Sequence, residues 1–165
     1  MFVVRIRNIR QQDVPSVQRY ASDPSIGQTS NVPSPYPIDG AMQWYSHVQK
    51  LIAQGSSQVF VIEYLGQFAG IISLNNICFD QSRANIDYWV REDLQAKGIA
   101  TSALRLALQG LKEEGIRNCF SGCLARNIGS QKVLLNNGFG LDQTIEANEG
   151  KFKGETLTLF SGAIS

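Results

Sequence analysis

No run of residues in this 165-residue chain approaches the length of a membrane-spanning helix. Arg5 interrupts the amino terminus before any apolar stretch of the kind a secretion signal needs. Net charge is nearly absent too: a formal +1 offers no broad field for nucleic acid or an anionic membrane. Direct nucleic-acid binding and membrane association are therefore not expected, while contact with a protein stays open. The single histidine, His47, lies between Ser46 and Val48 on an expected helix and reads as structural. The cysteines are few and odd in number. Cys119 and Cys123 share one expected strand at a spacing that fits neither zinc nor a redox pair, and Cys78 stands alone. Buried free thiols in a reducing cytoplasm are expected, and no metal site. Repeats, low-complexity segments and internal linkers are also missing. What remains is one cytoplasmic domain over residues 1–165, with 43% apolar and 18% charged residues and enough length to bury a core.

Hydrophobic periodicity supplies the elements. Phe2 to Ile6 alternates as a strand, with Phe2, Val4 and Ile6 on one face. Asp13 before Val14 and Pro15 is an N-cap signal for a helix to about Tyr20. Residues 22–40 hold all but one of the five prolines and read as a long irregular loop. Asp39 then caps a helix through Trp44, Tyr45, Val48 and Leu51, ending near Gly55. Gln58 to Tyr64 and Gln67 to Asn76, joined at Leu65-Gly66, form a hairpin, and Ala84 to Arg91 is the next strand. A helix from Ile99 to Glu114 presents Ile99, Ala103, Leu106, Ala107, Gly110 and Leu111 as its apolar stripe. Strand Arg117 to Cys123, helix Gly129 to Asn137 and two closing strands from Gly138-Phe139 to Phe160 complete the order. The central β-α-β segment implies a right-handed parallel crossover in an otherwise antiparallel sheet. The fold class is therefore α+β, a three-layer α/β/α domain.

The segment from Asp87 to Thr101 is the most informative. An aromatic strand stops at a charged turn, and a Gly-containing loop opens directly into a helix. That geometry leaves backbone N–H groups unpaired at a positive helix end, a site suited to phosphate. A plain strand-to-helix connection would look the same in sequence.

Further residues add to this. Gln95-Ala96-Lys97-Gly98-Ile99-Ala100 matches the Gln/Arg-x-x-Gly-x-Gly/Ala signature of the GNAT superfamily of N-acetyltransferases. Asn127-Ile128-Gly129-Ser130 followed by Gly138-Phe139 resembles its second motif, and Ile86-Asp87-Tyr88-Trp89-Val90 resembles its fourth strand. Pro33-Ser34-Pro35-Tyr36-Pro37 before a helix bearing Trp44 resembles the RimJ/RimL-type subgroup that acetylates ribosomal-protein amino termini. Four positions depart from that pattern. Ala96 stands where relatives commonly have Gly, which is acceptable if its φ stays negative. Asn85 replaces a common Glu while Asp87 replaces a Gly, and Leu134 replaces a Tyr.

The resemblance implies a mixed sheet of about seven strands and acetyl-CoA as co-substrate. The pyrophosphate would sit on the N–H groups of Gln95, Ala96, Lys97, Gly98, Ile99, Ala100 and Thr101. Pantetheine would pair with the edge Tyr88, Trp89 and Val90, splayed from the strand that begins at Arg117, with Asn127 and Ser130 beside it. Lys132 is a candidate for the adenosine 3′-phosphate or an ordinary surface lysine. Asp87 is the candidate base and Asn85 orders a water. Ser130 is the candidate proton donor to the thiolate, unless it only caps its helix. Tyr36, stiffened by Pro on both sides, lines the acceptor pocket or pins its loop. Trp44, Tyr45 and Phe60 read as core. The expected acceptor is a primary amine, first a protein N-terminal α-amine as in ribosomal-protein acetylation. A polyamine, amino acid or antibiotic is the alternative acceptor, built around by loops 22–40 and 140–155. A non-catalytic acyl-CoA sensor and a ligand-free structural protein also remain open, as do a monomer and a homodimer.

Overall fold

Alternating apolar positions on seven strands assemble one mixed sheet in the order β1-β2-β3-β4-β5-β7-β6. The computed structural model describes residues 3–164, so the expected strand residue Phe2 lies outside the described residues. The elements are β1 (Val4–Asn8), α1 (Val14–Ala21), α2 (Pro24–Thr29), α3 (Gly40–Ala53), β2 (Gln58–Tyr64), β3 (Gln67–Cys78) and β4 (Arg83–Val90). They continue with α4 (Ile99–Glu113), β5 (Asn118–Leu124), α5 (Ile128–Asn136), β6 (Gly140–Glu146) and β7 (Thr156–Ala163). Single 3₁₀ turns precede α1 and follow β4. All neighbours are antiparallel except β4 and β5, which run parallel across the α4 crossover. This is the α+β, three-layer arrangement expected from the element order.

The helices divide the core in two. Ile72, Ile86, Leu104 and Leu111 belong to the layer under α4 and α5. Val17, Val48, Val61 and Ile71 belong to the layer under α1 and α3, where Trp44 and Tyr45 pack at the margin. Phe60 packs on the first core, as its reading as a core residue required. Leu65 and Gly66 make the hairpin turn with φ of 51° and 79°. His47 is exposed. All three cysteines are free, but only Cys119 is buried, and burial pushes its thiol up to about 12. Cys78 and Cys123 are half-buried.

Several local expectations are corrected. The stretch 22–40 is not irregular throughout: Asp23 caps α2, accepting the Ser25 N–H at 3.0 Å, and Pro24 starts the helix. A proline in the first turn opens a helix and need not break one. Likewise residues 140–146 form β6 and only the stretch after it is a loop. The α4 stripe includes Leu104 and leaves Leu106 half-buried and Gly110 exposed, because the core-facing positions are Ile99, Ala103, Leu104, Ala107 and Leu111. Asp39 makes no cap bond to the backbone; its Oδ2 accepts from Gln43 Nε2 at 2.7 Å. Asp13 does not cap α1 either. Its buried carboxylate accepts Arg7 Nη1 at 2.9 Å, Arg7 Nη2 at 2.7 Å and the Arg10 N–H at 2.8 Å.

Arg7 also reaches Glu63 on β2 at 3.1 Å, so Asp13 joins β1, β2 and the entry to α1. Burial alone would raise the Asp13 carboxyl, but the Arg7 and Arg10 contacts outweigh it and hold the group below its ordinary value. Its contribution is therefore present above the ordinary carboxyl range, near pH 4, and lost as pH falls through the depressed value. Asp13→Asn should lower the unfolding free energy at pH 7 by about 2 kcal/mol, as for a lost hydrogen bond to a charged group. It should also flatten the acid loss. Denaturant melts of both proteins at pH 7 and pH 3 check this, and parallel losses in the two would contradict it.

Candidate active site

The β4 and β5 strands pair for a short distance and then part. Their parallel register holds only at Arg83–Asn118, Ala84–Cys119 and Asn85–Phe120. Beyond it Ser121 Oγ donates to the Ile86 carbonyl at 2.8 Å, a side chain standing in for the next ladder bond. On the other side, the Arg91 N–H bonds the Ala69 carbonyl, and the register pairs Trp89 with Ile71 and Asp87 with Ser73. Antiparallel alternation then turns the N–H and C=O groups of Tyr88 and Val90 away from β3, toward the gap. The Val90 carbonyl accepts Gln95 Nε2 at 2.9 Å. The Tyr88 N–H and C=O and the Val90 N–H have no protein partner among the described residues. Gly70 keeps β3 this close to the edge: a Cβ there would sit 2.1 Å from the Trp89 carbonyl oxygen.

The gap widens into a cleft of about 1260 Å³. At one end lies the loop into α4. Gly98 is the N-cap residue at φ 78°, and no side chain caps the helix. The N–H groups from Ala96 through Thr101 make no hydrogen bond among the described residues, so the positive helix end faces the cleft unsatisfied. A Cβ on Gly98 would meet no protein atom within 4 Å, which leaves space beside these donors. Ala96 sits at φ 62°, contrary to the expected negative value. Two left-handed residues, Ala96 and Gly98, turn the chain within the three residues between Gln95 and Ile99.

At the other end stand the polar side chains. Asp87 is open to the cleft yet walled by neighbouring strands. That enclosure pushes its carboxyl up, against a 3.0 Å hydrogen bond from Asn75 Nδ2 that holds it down. No cation pairs with it among the described residues. Asn127, not Ser130, caps α5: its Oδ1 accepts the Ser130 N–H at 3.1 Å. The Ser130 hydroxyl is instead 2.9 Å from the Tyr88 hydroxyl. Burial pushes the Tyr88 hydroxyl well above the ordinary range, so it keeps its proton. Tyr36 is half-buried on the cleft wall and packs against Gly40, where a Cβ would meet its ring at 3.0 Å.

Of the residues expected here, Asp87, Tyr88, Trp89, Val90, Gln95, Ala96, Gly98, Ile99, Ala100, Thr101, Asn127, Ser130 and Tyr36 line one cleft, with Lys132 beside them. Two do not. Asn85 lies one step below the parting of the strands, where β4 still pairs with Asn75 and Phe120 on either side. The Lys97 side chain is exposed outside the lining. Leu134 is fully buried, so nothing polar replaces the missing Tyr at that position. Asn75, Ser121 and the Tyr88 hydroxyl escaped the sequence reading. Their roles depend on cross-strand and strand-to-helix neighbours, which no short motif encodes. Alternation in β3 divides its residues between two faces, and only the register with β4 sets the Asn75 face beside Asp87.

The acetyltransferase (GNAT) domain model matches residues 4–140. Over 97 residues the chain is 31% identical to the ribosomal-protein-serine acetyltransferase of Escherichia coli (strain K12). That match covers 58% of this chain and 54% of the relative, so the chain spans about half the length of that protein in alignment. The structure of RimL, a ribosomal L7/L12 α-N-protein acetyltransferase, in complex with coenzyme A is similar at a TM-score of 0.85. The two share 22% identity, covering 99% of this chain and 96% of that one. Spermidine N-acetyltransferase from Vibrio cholerae, in complex with CoA and spermine, is similar at a TM-score of 0.84. Here the identity is 16%, covering 98% and 96% of the two chains. At these identities the solved structures speak for a shared fold alone. No helix among the described residues is long and apolar enough to cross a membrane.

The left-handed Ala96 crowds its Cβ against the backbone, a cost of roughly 1–2 kcal/mol that Gly does not bear. Glycine in turn gains freedom in the unfolded chain, an opposing effect of about 0.5–1 kcal/mol. Ala96→Gly should therefore stabilise the protein by about 0.5–1 kcal/mol in urea unfolding. A loss of stability would mean that the loop does not hold this conformation in solution.

Proposed function

Since the chain belongs to the GNAT family of acetyltransferases, we propose that its cleft binds acetyl-CoA and passes the acetyl group directly to a primary amine. One observation carries this reading. A strand edge with unpaired amide groups and a helix end with unpaired N–H groups open into the same cleft. The donor set fits the molecule: Ala96 to Thr101 present N–H groups to a pyrophosphate, and Tyr88 and Val90 present a strand edge to an extended, amide-bearing arm. The unpaired side of Asn127 and the ammonium of Lys132 lie along the same wall. Acetyl-CoA supplies an acetyl group already activated as a thioester, so alignment with the amine accounts for much of the rate.

The protein's own groups then manage protons and charge. Asp87 accepts a proton from the acceptor amine, directly or through water, and the enclosure that raises its carboxyl above the ordinary range makes it a stronger base. The N–H groups on the Tyr88–Val90 edge stabilise negative charge on the carbonyl oxygen as it forms. The Ser130 hydroxyl donates a hydrogen bond to the departing sulfur, and the neighbouring Tyr88 hydroxyl, which keeps its own proton, holds Ser130 in place.

The acceptor of this proposal is the α-amine of a protein amino terminus, with a ribosomal protein as the first candidate. Lining charge supports it: Asp87 is the lone carboxylate and Lys132 the lone ammonium among the described residues of the cleft wall. A polyamine carries several cations and would call for several carboxylates. An α-amine needs one, with Tyr36, Trp44 and Phe152 to seat an uncharged first residue. The relatives named for ribosomal-protein acetylation point the same way, while the spermidine enzyme keeps the small amine as the second candidate. The buried Leu134 and the displaced acid at Asp87 favour, as a second reading, an acyl-CoA sensor with little turnover.

Acetyl-CoA at ~100 times its dissociation constant should add about 2.7 kcal/mol of stability. Gly98→Val, with a β-branched side chain forced to positive φ beside the donors, should abolish most of that gain; an undiminished thermal shift would remove the loop from the site. Release of CoA thiol should be fastest with peptides bearing a free amino terminus and slower with spermidine and amino acids. Clear acetyl-CoA binding without turnover on any acceptor would favour the sensor. Asp87→Asn should reduce kcat/KM by about a hundred-fold near pH 7. That deficit should narrow toward pH 9–10, where an α-amine of pKa near ~8 is neutral unaided. A pH–rate profile identical to the unaltered protein's would exclude Asp87.

A further inference from the structure

Asp87 is the one carboxylate of the cleft, and its hydrogen bonding is specific. Asn75 on β3 faces Asn85 across the antiparallel ladder and so stands diagonal to Asp87, on the same side of the sheet. Its Nδ2 donates to Asp87 Oδ2 at 3.0 Å, and its Oδ1 accepts from the Ser57 hydroxyl at 3.1 Å. Ser57 is 3% exposed, and its hydroxyl has no other partner among the described residues. From this arrangement we propose that Asn75, steadied by Ser57, is a positioning residue for Asp87. It holds one carboxylate oxygen and leaves the other to the acceptor amine. The proposal rests on the reading of Asp87 as the proton acceptor.

The chemistry follows from what each group can donate. An ionised carboxylate only accepts, so the amide must present its NH₂ side to Asp87 and its oxygen to Ser57. A serine hydroxyl both donates and accepts. When an N–H bond of the amine breaks and an O–H bond forms on Asp87, the amine's electron pair moves to the thioester carbon. The proton arrives on the oxygen that faces the amine, so Oδ2 remains an acceptor for Asn75 Nδ2 and Ser57 goes on donating to Asn75 Oδ1. Asn75 thus holds the base in the same place in both protonation states. The other titratable and charged groups on the cleft wall are Tyr36 from the loop before α3, Tyr88 on β4, Cys123 on β5 and Lys132 on α5. The wall contributed by α1, α2 and α3 has none, and none of these groups hydrogen-bonds the Asp87 carboxylate.

The test uses the whole chain and two readouts. The side-chain carboxyl of Asp87, labelled with ¹³C and identified by its loss in Asp87→Asn, is titrated by NMR in the unaltered protein, Asn75→Ala and Ser57→Ala. Removing the Asn75 donor disfavours the carboxylate, so the titration midpoint should rise by about one pH unit in Asn75→Ala, as for a lost bond to a charged group. It should rise by less in Ser57→Ala. With a peptide bearing a free N-terminal serine, the acid limb of kcat/KM should move up in step, while KM for acetyl-CoA stays unchanged. An Asp87 midpoint unmoved in both variants overturns the proposal. Should Asn75→Ala fail to fold, Ser57→Ala decides by the same criterion. If Asp87→Asn abolishes the acid limb but neither variant moves it, the positioning role fails and the base stands. If Asp87→Asn retains the limb, the base reading fails, and the positioning role in this reaction falls with it.

Discussion

Everything at the cleft depends on β4 and β5 ceasing to pair after three residues. Strands normally continue a ladder until the chain turns, because an unpaired edge leaves amide groups unsatisfied. Here Ser121 ends the ladder by giving its hydroxyl to the Ile86 carbonyl, and Gln95 takes the Val90 carbonyl farther along. Between those two capped carbonyls the Tyr88 N–H and C=O and the Val90 N–H have no partner among the described residues. The Tyr88 hydroxyl, set against Ser130, braces the first turn of α5 on the edge strand. Asn137 braces the far end of α5 by donating to the Thr101 carbonyl at 3.2 Å. The opening is therefore maintained by side chains on both sides of it.

Its two ends differ in electrostatic character. The α4 end is positive through backbone alone, since Gly98 caps the helix with no side chain to occupy the N–H groups. The opposite end is nearly uncharged, and Asp87 has no cation to stabilise its ionised form. The proposed anion site and the proposed proton acceptor thus lie at separate places, and enclosure holds the Asp87 carboxyl above its ordinary value. The second half of the wall is tied down independently. Lys151 donates to the carbonyls of Gly27 and Val32, and Arg126 bridges Glu155 and the Gln28 carbonyl. These bonds fix α2 and the segment after it against the loop between β6 and β7.

Much of this was legible in the sequence, and the parts that were not share a cause. Alternation and helical periodicity located every strand and four of the five helices. The exception, α2, was hidden by prolines that mark loops in bulk but open a helix when one follows a capping Asp. Motif spacing brought Gln95 to Thr101, Asn127 and Ser130 to one place, because each motif is a local turn with its own geometry. Asn85 falls outside the cleft, and of Lys97 only the backbone N–H, not the exposed side chain, belongs with the loop's unpaired donors, because neighbours, not spacing, decide which groups meet a cavity. Asp13 and Asp39 carried correct helix-start signals, but their carboxylates found better partners in Arg7 and in Gln43.

The sequence by itself determined the succession of strands and of four of the five helices, the parallel crossover, the family pattern and the loop that opens directly into α4. Each of these follows from residues close in the chain, where periodicity, capping and turn chemistry act. Only the tertiary structure decided that β4 and β5 part at Ile86, that Tyr88 meets Ser130, and that Ser57 and Asn75 stand behind Asp87. Those contacts join residues 12 to 42 positions apart. Their energies depend on distance and burial in space, which the linear chain does not carry.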